Sequence, residues 1–218
     1  MALYVRNEIV IGDIGSGKTL LLMDSWDRIG GVMWDPCNDM PRPSWAVEAD
    51  TTCDPLAVET GLRHGWRILF RAGDVGRPAL SRQVARLVSI VRRTGSGLWV
   101  DESHLVCPQV QQGSQTQYPA REALLTAMRI ARHDDCSYGL ASQDPQTLAK
   151  DAMRVGAPTI RMFKTALSEQ WFRAYGVPEE VQARLREAPP HSYIDVAPDK
   201  SLSDVSILPP SRLTRFAA

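Results

Sequence analysis

A segment near the start of the sequence has the residue types and spacing of a phosphate-binding loop, G-x4-G-K-[ST]: Gly12, Asp13, Ile14, Gly15, Ser16, Gly17, Lys18 and Thr19. Glycines in this pattern let backbone N–H groups close around phosphate oxygens. Lys18 can reach the β- and γ-phosphates of a nucleotide, and Thr19 can offer its hydroxyl to Mg²⁺. The motif therefore predicts binding of a nucleotide together with Mg²⁺.

The residues on either side of this loop predict the elements that must position it. An apolar run at residues 9–11 predicts a strand that ends at the loop. Residues 20–29 contain neither Pro nor Gly, and they predict a helix whose positive N-terminal end faces the phosphates. The order of strand, loop and helix is the one that the motif requires.

A second acidic site follows another apolar strand. Residues 97–100 are apolar, and Asp101 and Glu102 come directly after them. At the carboxyl end of a strand beside the phosphate loop, Asp101 can hold Mg²⁺ through its water shell, and Glu102 can polarise the attacking water. Two acids with separate roles indicate hydrolysis, since a kinase usually spends such a position on its substrate.

A polar amide and three arginines are further candidates. Gln143 ends the apolar strand predicted at residues 137–142, where it is either a γ-phosphate sensor or an ordinary strand terminator. Arg121, Arg129 and Arg132 fall toward one side of the helix predicted at residues 120–133. They suit either surface salt bridges or a charge supplied to a neighbouring subunit's γ-phosphate.

Composition narrows the classes of protein. The 218 residues fit one α/β domain, and 25 basic side chains balance 25 acidic ones, so there is no global charge that favours nucleic acid. Any binding of a polyanion must come from a local patch. The four cysteines are widely spaced without a C-x-x-C pair, which indicates reduced thiols rather than a metal site. No apolar run is long enough to predict a transmembrane segment.

Alternating strand and helix patterns predict an α/β fold with a mostly parallel sheet sandwiched by helices. Further strands are expected at residues 31–34, 66–70, 159–164 and 192–196, and further helices at residues 79–93, 148–155 and 179–187. Residues 35–55 are polar and rich in Pro, and they predict a loop. We expect one ATPase domain over residues 1–200 and a Pro-punctuated tail over residues 201–218.

The sequence resembles the FtsK/HerA superfamily of P-loop motor ATPases at five places in order. They are the phosphate loop, V-M-W-D-P at residues 32–36, R-I-L-F-R at 67–71, L-W-V-D-E at 98–102, and the block at 129–145. The resemblance implies a RecA-like P-loop NTPase of the additional-strand, catalytic-glutamate type that uses ATP and Mg²⁺. It also implies that Gln143 is the γ-phosphate sensor and that Arg132, or else Arg129, acts on the next subunit's nucleotide.

Within that superfamily, the chain looks most like the minimal genome-packaging ATPases of membrane-containing, double-jelly-roll viruses. This likeness implies a double-stranded DNA translocase that works as a hexamer or another closed oligomer. It implies capsid or portal vertex proteins as partners, and a location in the host cytoplasm or at the packaging vertex of the virion. Residues 109–117 and 77–86 are candidates for DNA contacts.

Other functions remain open on the sequence. The Arg-His-Asp-Asp stretch and the Ser-Gln-Asp-Pro turn also resemble the Zot-like assembly ATPases of filamentous phages. A nucleotide-dependent switch that does not translocate DNA would use the same loop. A small-molecule kinase would need an Arg-rich lid, which the sequence lacks.

Overall fold

The computed structural model describes residues 7–109, 118–143, 148–163, 172 and 176–208. In this part of the chain, the strands are β1 (Asn7–Ile11), β2 (Gly31–Asp35), β3 (Val47–Asp50), β4 (Arg67–Arg71), β5 (Gly97–Val100), β6 (Ser137–Ser142), β7 (Thr159–Phe163), β8 (Ser192–Val196) and β9 (Ser206–Ile207). The helices are α1 (Lys18–Ile29), α2 (Pro55–Arg63), α3 (Arg77–Thr94), α4 (Pro119–Ile130) and α5 (Glu179–Glu187), with a short 3-10 turn at Ser103–Leu105.

All of these strands belong to one sheet, in the order β3-β4-β2-β5-β6-β1-β7-β8-β9. The strands from β3 to β7 in that order pair in parallel, whereas β8 and β9 add antiparallel to one edge. Strand β6 lies between β1, which leads into the phosphate loop, and β5, which leads to Asp101. This is the additional strand that the family resemblance implied, and the mostly parallel sheet predicted from the sequence is confirmed.

Helices cover both faces of the sheet because alternate strand residues point to opposite sides. Ile9 and Ile11 belong to a core that also contains residues of α2, α3, α4 and α5. Val10 belongs to the core on the other face, which contains Leu22 and Trp26 of α1. The central strands are therefore buried on both faces, as their apolar runs predicted.

One predicted helix is wrong. Residues 148–155 have helix-like composition, but Leu148 forms an isolated antiparallel bridge with Pro108, and the Ala149 N–H donates to the Cys107 carbonyl. These contacts draw the start of the segment into strand-like pairing. The residues that follow form turns, in which Met153 bonds to Lys150 three residues earlier. Tertiary contacts therefore override the local helical preference.

Two elements outside the predicted tail were absent from the sequence interpretation. Strand β3 lies inside the stretch predicted as a loop, and only its Ala49 is buried, so it carries no apolar pattern. Helix α2 begins with Pro55, and the Asp54 side chain caps it by accepting from the Leu56 N–H. Asp at the N-cap followed by Pro at the first helical position is a helix-start signal in the sequence.

The first part of the predicted tail adds to the sheet. Strand β9 pairs with β8, and Leu208 is almost fully buried in the core on the α1 side. Residues 209–218 of that tail lie outside the described residues. The boundary predicted after residue 200 remains a proposal.

Candidate nucleotide site

The chemically active side chains meet at the edge of the sheet where the parallel strands end. Gly12 follows β1, Asp35 ends β2, Asp101 follows β5 and Gln143 follows β6. Carboxyl ends of parallel strands open into a common crevice, which is where open α/β sheets bind ligands. The strand order therefore brings together the loop, the acidic pair and the amide that the sequence analysis selected.

The phosphate loop has a backbone conformation that requires glycine. Gly15 and Gly17 have φ angles of 75° and 104°, in the left-handed region. A Cβ at Gly12 would approach the Phe163 Cβ to 2.9 Å, so the loop also passes close to β7. Ser16 Oγ is buried, with no hydrogen-bond partner among the described residues. A buried hydroxyl without a partner fits a loop that receives phosphate oxygens.

Lys18 reaches across the loop. Its Nζ donates to the Asp13 carbonyl at 2.9 Å, and the residue is only 5% exposed. Burial lowers the pKa of the Lys18 ammonium, while the nearby carboxylates of Glu102, Asp101 and Asp13 oppose that shift. The ammonium therefore lies in an acidic, sheltered position beside the loop.

The loop and the acidic pair are joined by a hydrogen bond. Thr19 Oγ1 donates to Asp101 Oδ2 at 2.8 Å. Burial raises the pKa of Asp101 to about 6, and the neighbouring charge of Glu102 adds to that rise. Hydrogen bonds from Thr19 and the Glu102 backbone act in the opposite direction.

Glu102 is held by its own backbone and by Gln143. Its φ and ψ are both 43°, a left-handed conformation that costs a non-glycine residue about 1 kcal/mol. Gln143 Nε2 donates to Glu102 Oε1 at 2.6 Å. Ser103 Oγ donates to the Ala141 carbonyl at 2.8 Å, which ties the turn after β5 to β6. The carboxylate is thereby fixed beside the end of β6.

The structure adds polar neighbours that the sequence analysis did not assign to the site. His104 Nδ1 lies 3.3 Å from Glu102 Oε2. Asp35 is fully buried, pairs with Arg71 and accepts hydrogen bonds from the backbone N–H groups of residues 37, 38 and 40. This network braces the chain just after β2. The V-M-W-D-P and R-I-L-F-R motifs mark Asp35 and Arg71, but they do not reveal that the two side chains pair.

Arg129, near the end of α4, and Arg132, just after that helix, lie at the other end of the sheet. Arg129 and Arg132 are exposed and line a cavity of about 810 Å³ together with Asn7, which starts β1, and Thr159, which starts β7. The length of β1 separates that end from the loop by about 13 Å. Arg121 instead pairs with Glu122 and Asp151. Neither Arg129 nor Arg132 is brought to the chain's own phosphate loop.

The residues at the loop fit a Mg²⁺–nucleotide complex. Mg²⁺ prefers oxygen ligands and needs only one or two from protein when phosphates supply the others, which Thr19 and Asp101 match. Among the described residues, no group of three or more His, Cys, Asp or Glu side chains could hold a metal by itself.

The structure describes only some of the residues that the sequence predicted to contact DNA. Arg77, Arg82 and Arg86 are exposed on α3. Of the candidate DNA loop at residues 109–117, only Gln109 lies within the described residues. No helix in the described ranges is long and apolar enough to cross a bilayer.

The raised pKa of Asp101 predicts a stability cost at neutral pH. Above about pH 6 the folded protein must hold a buried carboxylate that the unfolded chain exposes to water. We therefore expect Asp101→Asn to raise the free energy of unfolding by roughly 2 kcal/mol near pH ~7.5. The gain should shrink as pH falls below about 6 and disappear below pH ~3, where Asp101 is protonated in both states. Denaturant unfolding without Mg²⁺ or nucleotide measures both values.

Asp50→Asn is a control, because its expected effect on stability at neutral pH has the opposite sign. Hydrogen bonds from Thr52 lower the pKa of Asp50, an exposed carboxylate. Asp50→Asn should therefore lose stability at neutral pH relative to acid. A gain for Asp101→Asn that persists unchanged at low pH, or a loss at neutral pH, would contradict the assignment.

Comparisons with known proteins find similarity of structure only. No protein-family model matches the chain, and no curated protein matches its sequence. The genome packaging NTPase B204 from Sulfolobus turreted icosahedral virus 2, in complex with ATP-gammaS, aligns with a TM-score of 0.66 at 13% identity, over 94% of this chain and 99% of that one. VirB4 of Thermoanaerobacter pseudethanolicus aligns with a TM-score of 0.65 at 12% identity, over 95% and 90%.

A third structure is more distant. The N-terminal domain of zonular occludens toxin from Neisseria meningitidis aligns with a TM-score of 0.49 at 11% identity, over 97% of this chain and 98% of that one. B204, VirB4 and this toxin domain are P-loop ATPases of the FtsK/HerA type. At these identities the likeness is one of fold, and the chain has the fold that its motifs implied.

Proposed function

We propose that this chain is an ATP-driven motor that translocates double-stranded DNA and packages a viral genome into a preformed capsid. The observation that carries the proposal is the pair of contacts Thr19–Asp101 and Glu102–Gln143 at one edge of the sheet. They join a phosphate loop to an acid that can activate water and to an amide that can sense a phosphate. The similarity in fold to a genome packaging NTPase over nearly the whole chain supports viral DNA as the proposed substrate.

Binding of ATP would use the loop and the start of α1. Backbone N–H groups of the loop would surround the β-phosphate, and Lys18 would turn from the Asp13 carbonyl to the β- and γ-phosphates. Thr19 and Asp101 would hold Mg²⁺, which supplies charge neutralisation of the phosphates when bound. Binding of this cation favours ionised Asp101, so it would offset the effect of burial on that carboxylate.

Hydrolysis would depend on Glu102 and Gln143. The Glu102 carboxylate would orient and polarise the water that attacks the γ-phosphate. Gln143 holds Glu102 Oε1 through its amide N–H, so a γ-phosphate that attracts this amide would release the carboxylate for the water. The contact thereby offers a physical route by which the presence of the third phosphate controls the base.

The arginine that completes the transition state would come from another subunit. Arg132, with Arg129 second, lies at the opposite end of the sheet from its own loop, and neither has an ion-pair partner among the described residues. A surface that supplies arginine to the next subunit's nucleotide makes a head-to-tail contact, and such contacts form a ring when the rotation between subunits closes. We propose a closed ring of this kind, a hexamer or another closed oligomer.

DNA would pass through the centre of that ring. The chain has no net charge, so its grip on phosphates must come from local groups such as the exposed arginines of α3. Binding of this kind weakens with salt and is independent of base sequence. Proteins of the capsid or portal vertex would hold the ring at the shell.

Hydrolysis stimulated by duplex DNA tests the motor. We expect ATP turnover by the purified protein to rise with duplex length and to fall with salt. Glu102→Gln should reduce turnover by about 100-fold or more while ATP still binds, because only the water-activating group is lost. Lys18→Ala should remove both binding and turnover.

Each outcome separates the alternatives. Turnover that is indifferent to DNA but abolished by Glu102→Gln would indicate an assembly ATPase or a nucleotide switch instead of a translocase. Full turnover in either variant would remove the proposed site. Arg154→Ala, an exposed arginine elsewhere, serves as a control that should leave turnover unchanged.

Mixing two inactive variants tests whether each active site is shared between neighbouring subunits. Arg132→Ala and Glu102→Gln should each be inactive alone, because each leaves every interface without one group. In an equal mixture, random assembly gives roughly a quarter of the interfaces an intact Glu102 and an intact neighbouring arginine, so turnover should recover toward that fraction. Steady-state hydrolysis as a function of mixing ratio measures it.

The same experiment identifies which arginine acts on the neighbouring subunit's nucleotide. Recovery with Arg129→Ala in place of Arg132→Ala would transfer the role to Arg129. Full activity of both single arginine variants would contradict an arginine supplied from the neighbour.

A further inference from the structure

The phosphate loop is contacted by a segment far along the sequence. His191, the residue before β8, places its Nδ1 3.0 Å from the Ser16 carbonyl oxygen. A carbonyl oxygen can only accept, so the Nδ1 atom carries the hydrogen and the imidazole is the donor. The contact joins the backbone of the loop to a side chain 175 positions away.

His191 is itself held in place from two sides. Its φ angle of 64° is left-handed, and its carbonyl accepts from the Leu208 N–H at 3.1 Å. The strand β9 that ends just before Leu208 pairs with β8. Tyr193 of β8 also contacts the Phe163 ring at the end of β7, with ring centroids 5.3 Å apart. The imidazole is therefore presented to the loop by a braced edge of the sheet.

Apolar groups complete the contact at Gly17. A Cβ built on Gly17 would lie 3.2 Å from Leu208 Cδ2, 3.4 Å from His191 Nδ1 and 3.5 Å from Phe163 Cε1. Leu208 is 1% exposed. We call Phe163, His191 and Leu208 together the loop support, because they pack against the side of the loop that leads into α1.

We infer that His191 is a positioning residue for nucleotide binding, which acts through the loop backbone and not on the nucleotide itself. A trans peptide points its N–H opposite to its C=O. Because the Ser16 carbonyl is directed to His191, the Gly17 N–H of the same peptide faces the other way, away from the loop support. Backbone N–H groups directed inward are what a phosphate loop offers its ligand.

This inference rests on the proposed nucleotide binding and adds a residue to which neither the motif nor the family resemblance pointed. The Gly17 N–H, held in this orientation, would contact the phosphates equally in bound ATP and in the transition state. Loss of the His191 contact should therefore weaken ATP binding more than it slows hydrolysis. A residue that only stabilised the fold would not divide its effect in this way.

Kinetics of His191 variants test the inference in the full-length protein. We expect His191→Ala to raise the KM for MgATP about tenfold and to change kcat by less than about twofold. His191→Asn should restore KM to within about twofold of the original protein, since the Asn amide can donate from nearly the same position and Asn tolerates a left-handed φ. His64→Ala, at the exposed end of α2, is the matched control and should change neither constant.

Direct binding of MgATP in the Glu102→Gln background separates this inference from the function on which it rests. If that background binds no MgATP, the proposed function fails. If it binds MgATP and adding His191→Ala leaves the Kd unchanged, the positioning role is overturned. It is also overturned if His191→Asn is as impaired as His191→Ala, or if kcat falls while KM stays constant.

Discussion

The hydrogen bond from Thr19 to Asp101 joins the start of α1 to the residue after β5, across two strands, β1 and β5, that are not neighbours in the sheet. Strand β6 lies between β1 and β5, so the start of α1 must reach across the end of β6 to meet the acid. That arrangement places Gln143, which follows β6, beside Glu102. Asp101, Glu102 and Gln143 are adjacent because one strand is inserted between the two strands that carry the phosphate loop and the acidic pair.

The two ends of the parallel strands have different chemistry. The carboxyl end holds the loop, the acidic pair and the Asp35–Arg71 pair, whereas the amino end holds the cavity with Arg129 and Arg132. A single chain therefore separates its phosphate loop from Arg129 and Arg132 by about the length of a strand. In the head-to-tail assembly that we propose, the arginine end of one subunit would meet the loop end of the next.

The sequence was sufficient for the parts of the site that depend on spacing. The loop, the acidic pair and Gln143 each follow an apolar run, and short apolar runs bounded by turn signals predicted the central strands. It was insufficient where distant contacts decide the structure. Residues 148–155 form turns because Leu148 bridges to Pro108, and no local pattern reports that His191 meets Ser16. Strand β3 was missed because an edge strand with one buried side chain has no apolar period.

Displacement of a third strand from duplex DNA tests most directly whether ATP used at this site moves DNA. A labelled oligonucleotide bound as a triplex on a long duplex should be released by the protein with MgATP, and it should stay bound with Glu102→Gln or without ATP. Hydrolysis without release of the third strand would contradict translocation and leave an ATPase of another kind.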